Sequence, residues 1–306
     1  MTTQKMNSTT APSAKSVIFA INPNSGASDR RVLCESIAKR LEQEGYDTIS
    51  LTDLVEVEAA TKKHLEAGSL RAVVSAGGDG TVSLLANLLP RETPFAILPL
   101  GTENLLGRHL GLKANENFFI KLIKSGNVAR IDAGRANGKL FLVVASCGFD
   151  AAVVKRLDEI RTGHINYFSW LKPIFQTIRS YRFPALNFII DGKPVTNPVR
   201  WAFVFNIPRY AINLRITPDA DDSDGKLDVC TFRDGGIIRG IWYLLSTFVR
   251  SHQRLAATSF AQFESMRIEA DGDDPVHYEL DGDPGGVLPL EIEVCPGALK
   301  VLLPEG

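Results

Sequence analysis

The chain has 306 residues, 44% of them hydrophobic and 23% charged, a balance that supports a packed core and excludes a disordered or fibrous polypeptide. Lys and Arg number 34 against 35 Asp and Glu, so no global field draws the protein onto nucleic acid or an acidic membrane; such attraction has to come from a local patch. The length suits two ordinary domains, or one domain with a large insertion.

Residues 1–14 are rich in Ser, Thr and Ala and read as a disordered terminus that lacks the apolar core of a secretory signal. From 17 to 110, strand and helix patterns alternate. A β-rich run over 17–21 leads into a helical stretch with Leu33, Ile37 and Leu41 four apart, stopped at Gly45. There follow a strand at 46–51, a helix over 55–66 closed by Gly68, a buried strand at 70–76, a helix over 82–89 and a strand at 95–98. Such alternation predicts a parallel sheet covered on both faces. Beyond about residue 132 the rhythm changes: β-rich stretches at 140–147, 185–190, 200–207, 227–232, 263–269 and 290–294 are joined mainly by turns, with hairpin chemistry at 191–194 and 271–274. Helical interruptions are expected at 151–161, 167–182 and 237–249. The expected division is an α/β domain over 15–132 followed by an antiparallel β-sandwich domain over 133–296.

The densest chemistry is Gly77-Gly78-Asp79-Gly80-Thr81, directly after an apolar strand and before a helix. Glycines at that turn let the main chain approach an anion, and the free N–H groups of the following helix favour phosphate. Asn22-Pro23-Asn24-Ser25-Gly26 and Pro99-Leu100-Gly101-Thr102-Glu103-Asn104 occupy the equivalent places after neighbouring strands. In an open parallel sheet ligands bind beyond the carboxyl ends of the strands, so the three turns would converge on one crevice. Each turn alone also reads as a helix cap, with Ser28 or Thr102 as the capping residue. There is no GxxxxGK[ST] and no GxGxxG, which excludes a Walker loop and the dinucleotide fingerprint. The five histidines show no zinc spacing, no GxSxG is present, and the four cysteines are scattered without a CxxC, which reads as buried, reduced thiols of a cytoplasmic protein.

Taken in order and spacing, these three turns resemble the catalytic domain shared by diacylglycerol, sphingosine and ceramide kinases and their bacterial lipid-kinase relatives. The resemblance continues through Gly148-Phe149-Asp150-Ala151, Asn206, Asp224-Gly225-Lys226-Leu227-Asp228 and Leu280-Asp281-Gly282-Asp283. It implies a phosphofructokinase or NAD kinase-like α/β nucleotide domain, then a β-sandwich that binds the lipid substrate, with 299–303 within the terminal segment 297–306 returning to the first domain. It also implies ATP with Mg²⁺ in the cleft between the domains. Asn22, Ser25, Gly26, Gly77, Gly78, Gly80, Thr81, Gly101, Thr102 and Asn104 would contact the nucleotide, and Asp79, Asp281 and Asp283 would form the catalytic group with Asp281 as general base. Asp283 departs from the family's usual Glu, which shortens the acid by one methylene. Lys155, Arg156 and Arg161 are candidates for the phosphates, or simply the solvated face of a helix. The run Asp219, Asp221, Asp222 and Asp224 fails the EF-hand template; similarity to the bacterial relatives implies a structural cation held near Asp222, Asp224 and Leu227, the alternative being a plain acidic loop.

The apolar run over 237–249, broken by Arg239 and flanked by Arg250 and Arg254, is too short to span a bilayer. It reads either as a helix at a membrane surface, making the protein peripheral, or as one buried against the sandwich. The expected activity is therefore a lipid kinase. The alternatives are an NAD kinase-like enzyme and a catalytically weak nucleotide-binding homologue; a homodimer is left open, and no nucleic-acid partner is expected.

Overall fold

The structure, a computed structural model, describes residues 8–9, 14–22, 28–160, 171–196, 199–210, 214–249 and 251–305. It divides into two compact units, Met1–Ile131 with Gly297–Gly306, and Asp132–Pro296.

The first unit begins with β1 (Ser8–Thr9), β2 (Ser16–Ile21), α1 (Ser28–Gln43), β3 (Asp47–Leu51), α2 (Leu54–Glu66) and β4 (Leu70–Gly77). There follow α3 (Asp79–Leu88), β5 (Pro94–Pro99), α4 (Leu105–His109), α5 (Glu116–Ser125) and the start of β6 (Asn127–Ala136). β3, β2, β4 and β5 lie side by side, all parallel, with Ile18 opposite both Ile49 and Val73, and Val74 opposite Ala96. β4 is buried along its whole length and shows no polar alternation, as a strand covered on both faces requires. Asp53 starts α2 by accepting the N–H groups of Val55 and Glu56. The chain runs from β2 to β3 on one side and returns to β4 on the other. The topological switch therefore falls between the carboxyl ends of β2 and β4.

The second unit contains the end of β6, then β7 (Lys139–Phe141), β8 (Val144–Cys147), α6 (Phe149–Ile160), α7 (Leu171–Ser180), β9 (Leu186–Ile190) and β10 (Lys193–Pro194). Next come β11 (Trp201–Phe205), β12 (Leu227–Phe232), α8 (Ile237–Phe248), β13 (Thr258–Phe263), β14 (Ser265–Ala270), β15 (His277–Leu280), β16 (Asp283–Val287) and the start of β17 (Leu290–Leu302). One sheet, in the order β13-β12-β11-β8-β15-β16, is antiparallel at every step. β10, β9, β14 and the first half of β17 form the other layer, also antiparallel. Phe141, Leu186, Phe188, Val204, Leu227 and Ile292 belong to one buried cluster, so this unit is the expected sandwich.

One expectation is corrected: the stretch 140–147 is two strands, with the ladder interrupted at Leu142 and Val143. The terminal run 299–303 is the end of a longer strand, β17, and pairs in parallel with β5 of the first unit, Val301 opposite Phe95. All four cysteines are buried thiols outside any disulfide, and burial pushes the Cys34 thiol up to about 11 and Cys147 to about 12. No helix among the described residues is long and apolar enough to cross a membrane.

Arg71 is a charged residue inside the buried strand β4, 6% exposed. Its Nε and Nη2 donate to the carbonyls of Ile123 and Lys124 at 2.8 and 2.7 Å, satisfying the last turn of α5 just before its left-handed cap Gly126. Arg71→Met, which keeps most of the side-chain length, is expected to lower the unfolding free energy by about 2–3 kcal/mol in urea titration, because it orphans buried carbonyls.

Candidate functional site

At the carboxyl ends of β2, β4 and β5, Asn22 and the turns that follow β4 and β5 come together. Asn22 Nδ2 donates to Thr81 Oγ1 at 3.3 Å across the switch point. The Leu100 N–H donates to the Gly77 carbonyl at 2.8 Å, drawing the β5 turn onto the β4 turn. There the two backbones touch with nothing between them: a Cβ on Gly101 would stand 2.5 Å from Gly78 Cα and 2.8 Å from Asn104 Oδ1. Asn104 adopts φ 49° and closes its own turn, Oδ1 accepting from Gly101 N and Nδ2 donating to Gly101 O, each at 2.7 Å.

Asp79 is the brace. Its carboxylate accepts the N–H groups of Leu105 and Leu106 at 2.9 and 3.0 Å and so caps α4, whose own N-cap residue Asn104 makes no capping bond. Of the two readings of this turn, capping by Thr102 does not hold: Thr102 is exposed, and the cap comes from the neighbouring turn. Burial pushes the Asp79 carboxyl up, while its main-chain bonds pull it back. α3 opens at Gly78 with no side-chain cap and Gly80 is exposed, which leaves the start of this helix suited to an anion. Beside Asn22 and Thr81 lies a cavity of about 290 Å³ lined by Leu51, Leu54, Val57 and Leu84. Ser25 and Gly26 lie outside the described residues.

In the second unit, Asp281 and Gly282 form a two-residue turn between β15 and β16, with φ 53° and 87° and Leu280 paired to Asp283. The Asp281 carboxylate accepts three main-chain N–H groups, from Leu142 at 2.8 Å, Val143 at 2.9 Å and Val144 at 3.1 Å. Asn206, 1% exposed, takes the other side of the same stretch, its Nδ2 donating to Leu142 O at 3.0 Å and its N–H to Val143 O at 3.0 Å. These bonds replace the strand ladder and explain the break between β7 and β8. Asp283 is exposed, and its carboxylate has no hydrogen bond among the described residues.

Beneath the turn lies a group that sequence reasoning missed. Glu279, 1% exposed, sits opposite Ser146 in the β15–β8 register. Its Oε2 accepts the Gly282 N–H at 2.7 Å, and its Oε1 has no partner among the described residues. Ser146 Oγ and Tyr210 OH each donate to Asp150 at 2.8 Å. Burial, and then the charge of Asp150, push Glu279 well above the ordinary glutamate range; burial also raises Asp150. The only sequence signal was an acid inside the apolar stretch before the turn.

Lys155 lies 3.2 Å from His277 Nε2 and 3.6 Å from Glu159, and Arg156 donates to Ser180 Oγ at 2.6 Å; Arg161 lies outside the described residues. Asp222 is 4% exposed, Asp224 accepts from Lys226 N at 2.9 Å and Gln262 Nε2 at 3.2 Å, and Leu227 is fully buried. No group of three or more His, Cys, Asp or Glu among the described residues is placed to hold a metal ion.

Comparison with known proteins gives two family matches, the diacylglycerol kinase catalytic domain over residues 16–136 and the YegS C-terminal NAD kinase beta sandwich-like domain over 143–303. A diacylglycerol kinase of Mycobacterium tuberculosis is 30% identical over 296 residues, covering 93% of this chain and 94% of that one. One from Bacillus subtilis is 22% identical over 93% of this chain and 95% of its own length. A crystal structure of a diacylglycerol kinase from Bacillus anthracis shares the fold with a TM-score of 0.67 at 21% identity, over 96% of this chain and 98% of that chain.

Two outcomes follow from the geometry. Gly101→Ala forces its Cβ into Gly78 and is expected to cost about 2–4 kcal/mol in chemical denaturation. Glu279 has a raised folded-state pKa, so the stability linked to it is present below the ordinary value of 4.5 and is lost as pH rises through the raised value. Glu279→Gln should therefore melt increasingly above the wild type as pH climbs, by about 2–4 °C near pH 8, and close to it near pH 4.5; a constant offset would show that Glu279 is not the titrating group.

Proposed function

The chain belongs to the diacylglycerol kinase family, and on that premise we propose that it transfers the γ-phosphoryl group of ATP to a hydroxyl of a lipid such as diacylglycerol or a sphingoid base. The observation that carries the reading is the convergence of Asn22 and two glycine-bearing turns at the switch point of a parallel sheet, with Asn22 bonded to Thr81 and Gly101 packed on Gly78. The start of α3, which has no side-chain cap, receives the phosphates. The cavity lined by Leu51, Leu54, Val57 and Leu84 accepts the apolar face of the purine. Asp79 is a positioning residue, since it ties the β5 turn to the β4 turn through the cap of α4.

Asp281 is the general base. As the acceptor oxygen bonds to the γ-phosphorus and the bridging oxygen leaves with ADP, the hydroxyl proton passes to this carboxylate. The N–H groups of Leu142, Val143 and Val144 fix its orientation in advance, which removes a reorganisation cost from the reacting state. Mg²⁺ would supply charge neutralisation on the phosphates, and the acid of this chain suited to hold it is Asp283, exposed and free of hydrogen bonds among the described residues. No dedicated ion cage is required for such a cation, because Mg²⁺ is commonly bound by one or two carboxylates together with substrate phosphates.

Mass spectrometry of a total lipid extract before and after incubation with the protein, ATP and Mg²⁺ should reveal a lipid that gains one phosphate. Phosphorylation of NAD alone, or ATP binding with no transfer to any lipid, would overturn the reading. Asp281→Asn is expected to lower turnover by roughly 10³-fold or more while ATP affinity stays within a small factor. Undiminished turnover in a variant that still melts cooperatively would show that another group takes the proton.

A further inference from the structure

Helix α8 has two unlike faces. Tyr243 and Ser246 are 2% and 3% exposed, and the Tyr243 ring packs against Phe232 at 4.7 Å and Trp201 at 5.9 Å, which anchors the inner face on the sandwich. The outer face carries Ile238, Trp242, Leu245 and Val249, which are 83%, 54%, 54% and 73% exposed. These positions follow one another at intervals of four, three and four, so they form a single straight stripe on a helix of 3.6 residues per turn. Of the two expected readings, a helix at a membrane surface and one buried against the sandwich, the second describes only the face that carries Tyr243 and Ser246. Isolated exposed apolar residues are ordinary, but four large ones in one line are not.

The surroundings of the stripe are basic. Arg233, Arg239 and Arg254 are exposed, and the carboxylate of Asp234 lies 3.7 Å from Arg239. A cavity of about 270 Å³ opens between Arg233, Arg239, Trp242 and Tyr243 at the edge of the stripe. The whole chain carries a formal charge of −1, so this positive edge is a local feature.

We propose that the outer stripe of α8 inserts into the headgroup–acyl boundary of an anionic lipid bilayer, with Arg233, Arg239 and Arg254 at the level of the headgroup phosphates. The chemistry favours this occupant over a second copy of the chain. A narrow apolar line bordered by arginines, with an indole at its centre, matches the steep change from hydrocarbon to phosphate across a few ångströms, where tryptophan and snorkelling arginine both gain. The proposal deepens the lipid-kinase reading by naming how the protein reaches its substrate, and its test measures binding separately from phosphorylation.

The full chain would be floated with phosphatidylcholine vesicles and with equimolar phosphatidylcholine–phosphatidylglycerol vesicles, and Trp242 emission followed with brominated lipid as quencher. The wild type should bind the anionic vesicles roughly tenfold or more tightly than the neutral ones, with quenching that Trp242→Phe removes. Ile238→Ser with Trp242→Ser and Leu245→Ser should weaken binding to both vesicles by at least roughly tenfold, whereas Arg239→Glu with Arg254→Glu should abolish only the anionic preference. Both variants alter exposed positions and should keep the wild-type melting temperature and activity towards a short-chain, water-soluble acceptor lipid. Unchanged vesicle binding by the folded serine variant overturns the proposal. So does conversion of a wild-type dimer to monomer in that variant without change in vesicle binding, since a second copy would then cover the stripe. Absence of wild-type activity on the soluble acceptor overturns the kinase reading instead and leaves the vesicle result standing.

Discussion

The first unit depends on two backbones touching where no side chain intervenes. Gly77 pairs with Pro99 at the ends of β4 and β5, so the turns that follow start level with one another. The Leu100 N–H then closes on the Gly77 carbonyl, and Gly78 and Gly101 come within a distance that a single methyl group would prevent. That contact sets where α3 and α4 begin, because Asp79, one residue beyond Gly78, reaches the first N–H groups of α4. Positive φ at Asn104 is tolerated at the edge of such an arrangement, where the buried parallel strands over-determine the turn geometry. Behind the turns, β2, β4 and β5 are buried along almost their whole length, which leaves their carboxyl ends as the place for polar atoms.

The second unit uses main-chain amides in a complementary sense. In the first unit they are left available at a helix start; in the second, three of them are directed onto the carboxylate of Asp281. The interruption between β7 and β8 is what makes this arrangement available. An unbroken ladder through Leu142 and Val143 would have engaged those N–H groups in strand pairing, and Asn206 completes the exchange by bonding the carbonyl side. A sandwich thus gives up two rungs of regular pairing and gains a fixed acidic group at a hairpin tip.

Legibility from sequence followed the range of the forces involved. β4 was readable because LRAVVSAG is apolar enough to be covered on both faces, and α1 because Leu33, Ile37 and Leu41 recur at helical spacing. β6 was missed: NVARIDAGRA interleaves arginines with the core, and only the structure shows Arg130 reaching Glu92 and Arg135 reaching Glu293. β16 was missed because DPGGV carries Pro and Gly, tolerated at a sheet edge. The three glycine turns were visible as motifs, yet the bracing function of Asp79 was not, since its partners stand 26 and 27 residues away. The partners of Asp281 lie still further, 137 to 139 residues back, beyond the reach of any local pattern.

Three carboxyl groups gather around the β15–β16 hairpin, and their charges cannot all be accommodated alike. Asp281 raises the cost of ionising Glu279, as does Asp150, and burial adds the largest share. Each acid meets a different set of partners. Asp281 has three amide donors, Asp150 has the hydroxyls of Ser146 and Tyr210, and Glu279 has one amide and an oxygen with no partner among the described residues. The acid with the fewest donors is the one whose protonated form burial favours most. Its Oε2 holds the Gly282 N–H, so the hairpin tip that presents Asp281 is anchored from below.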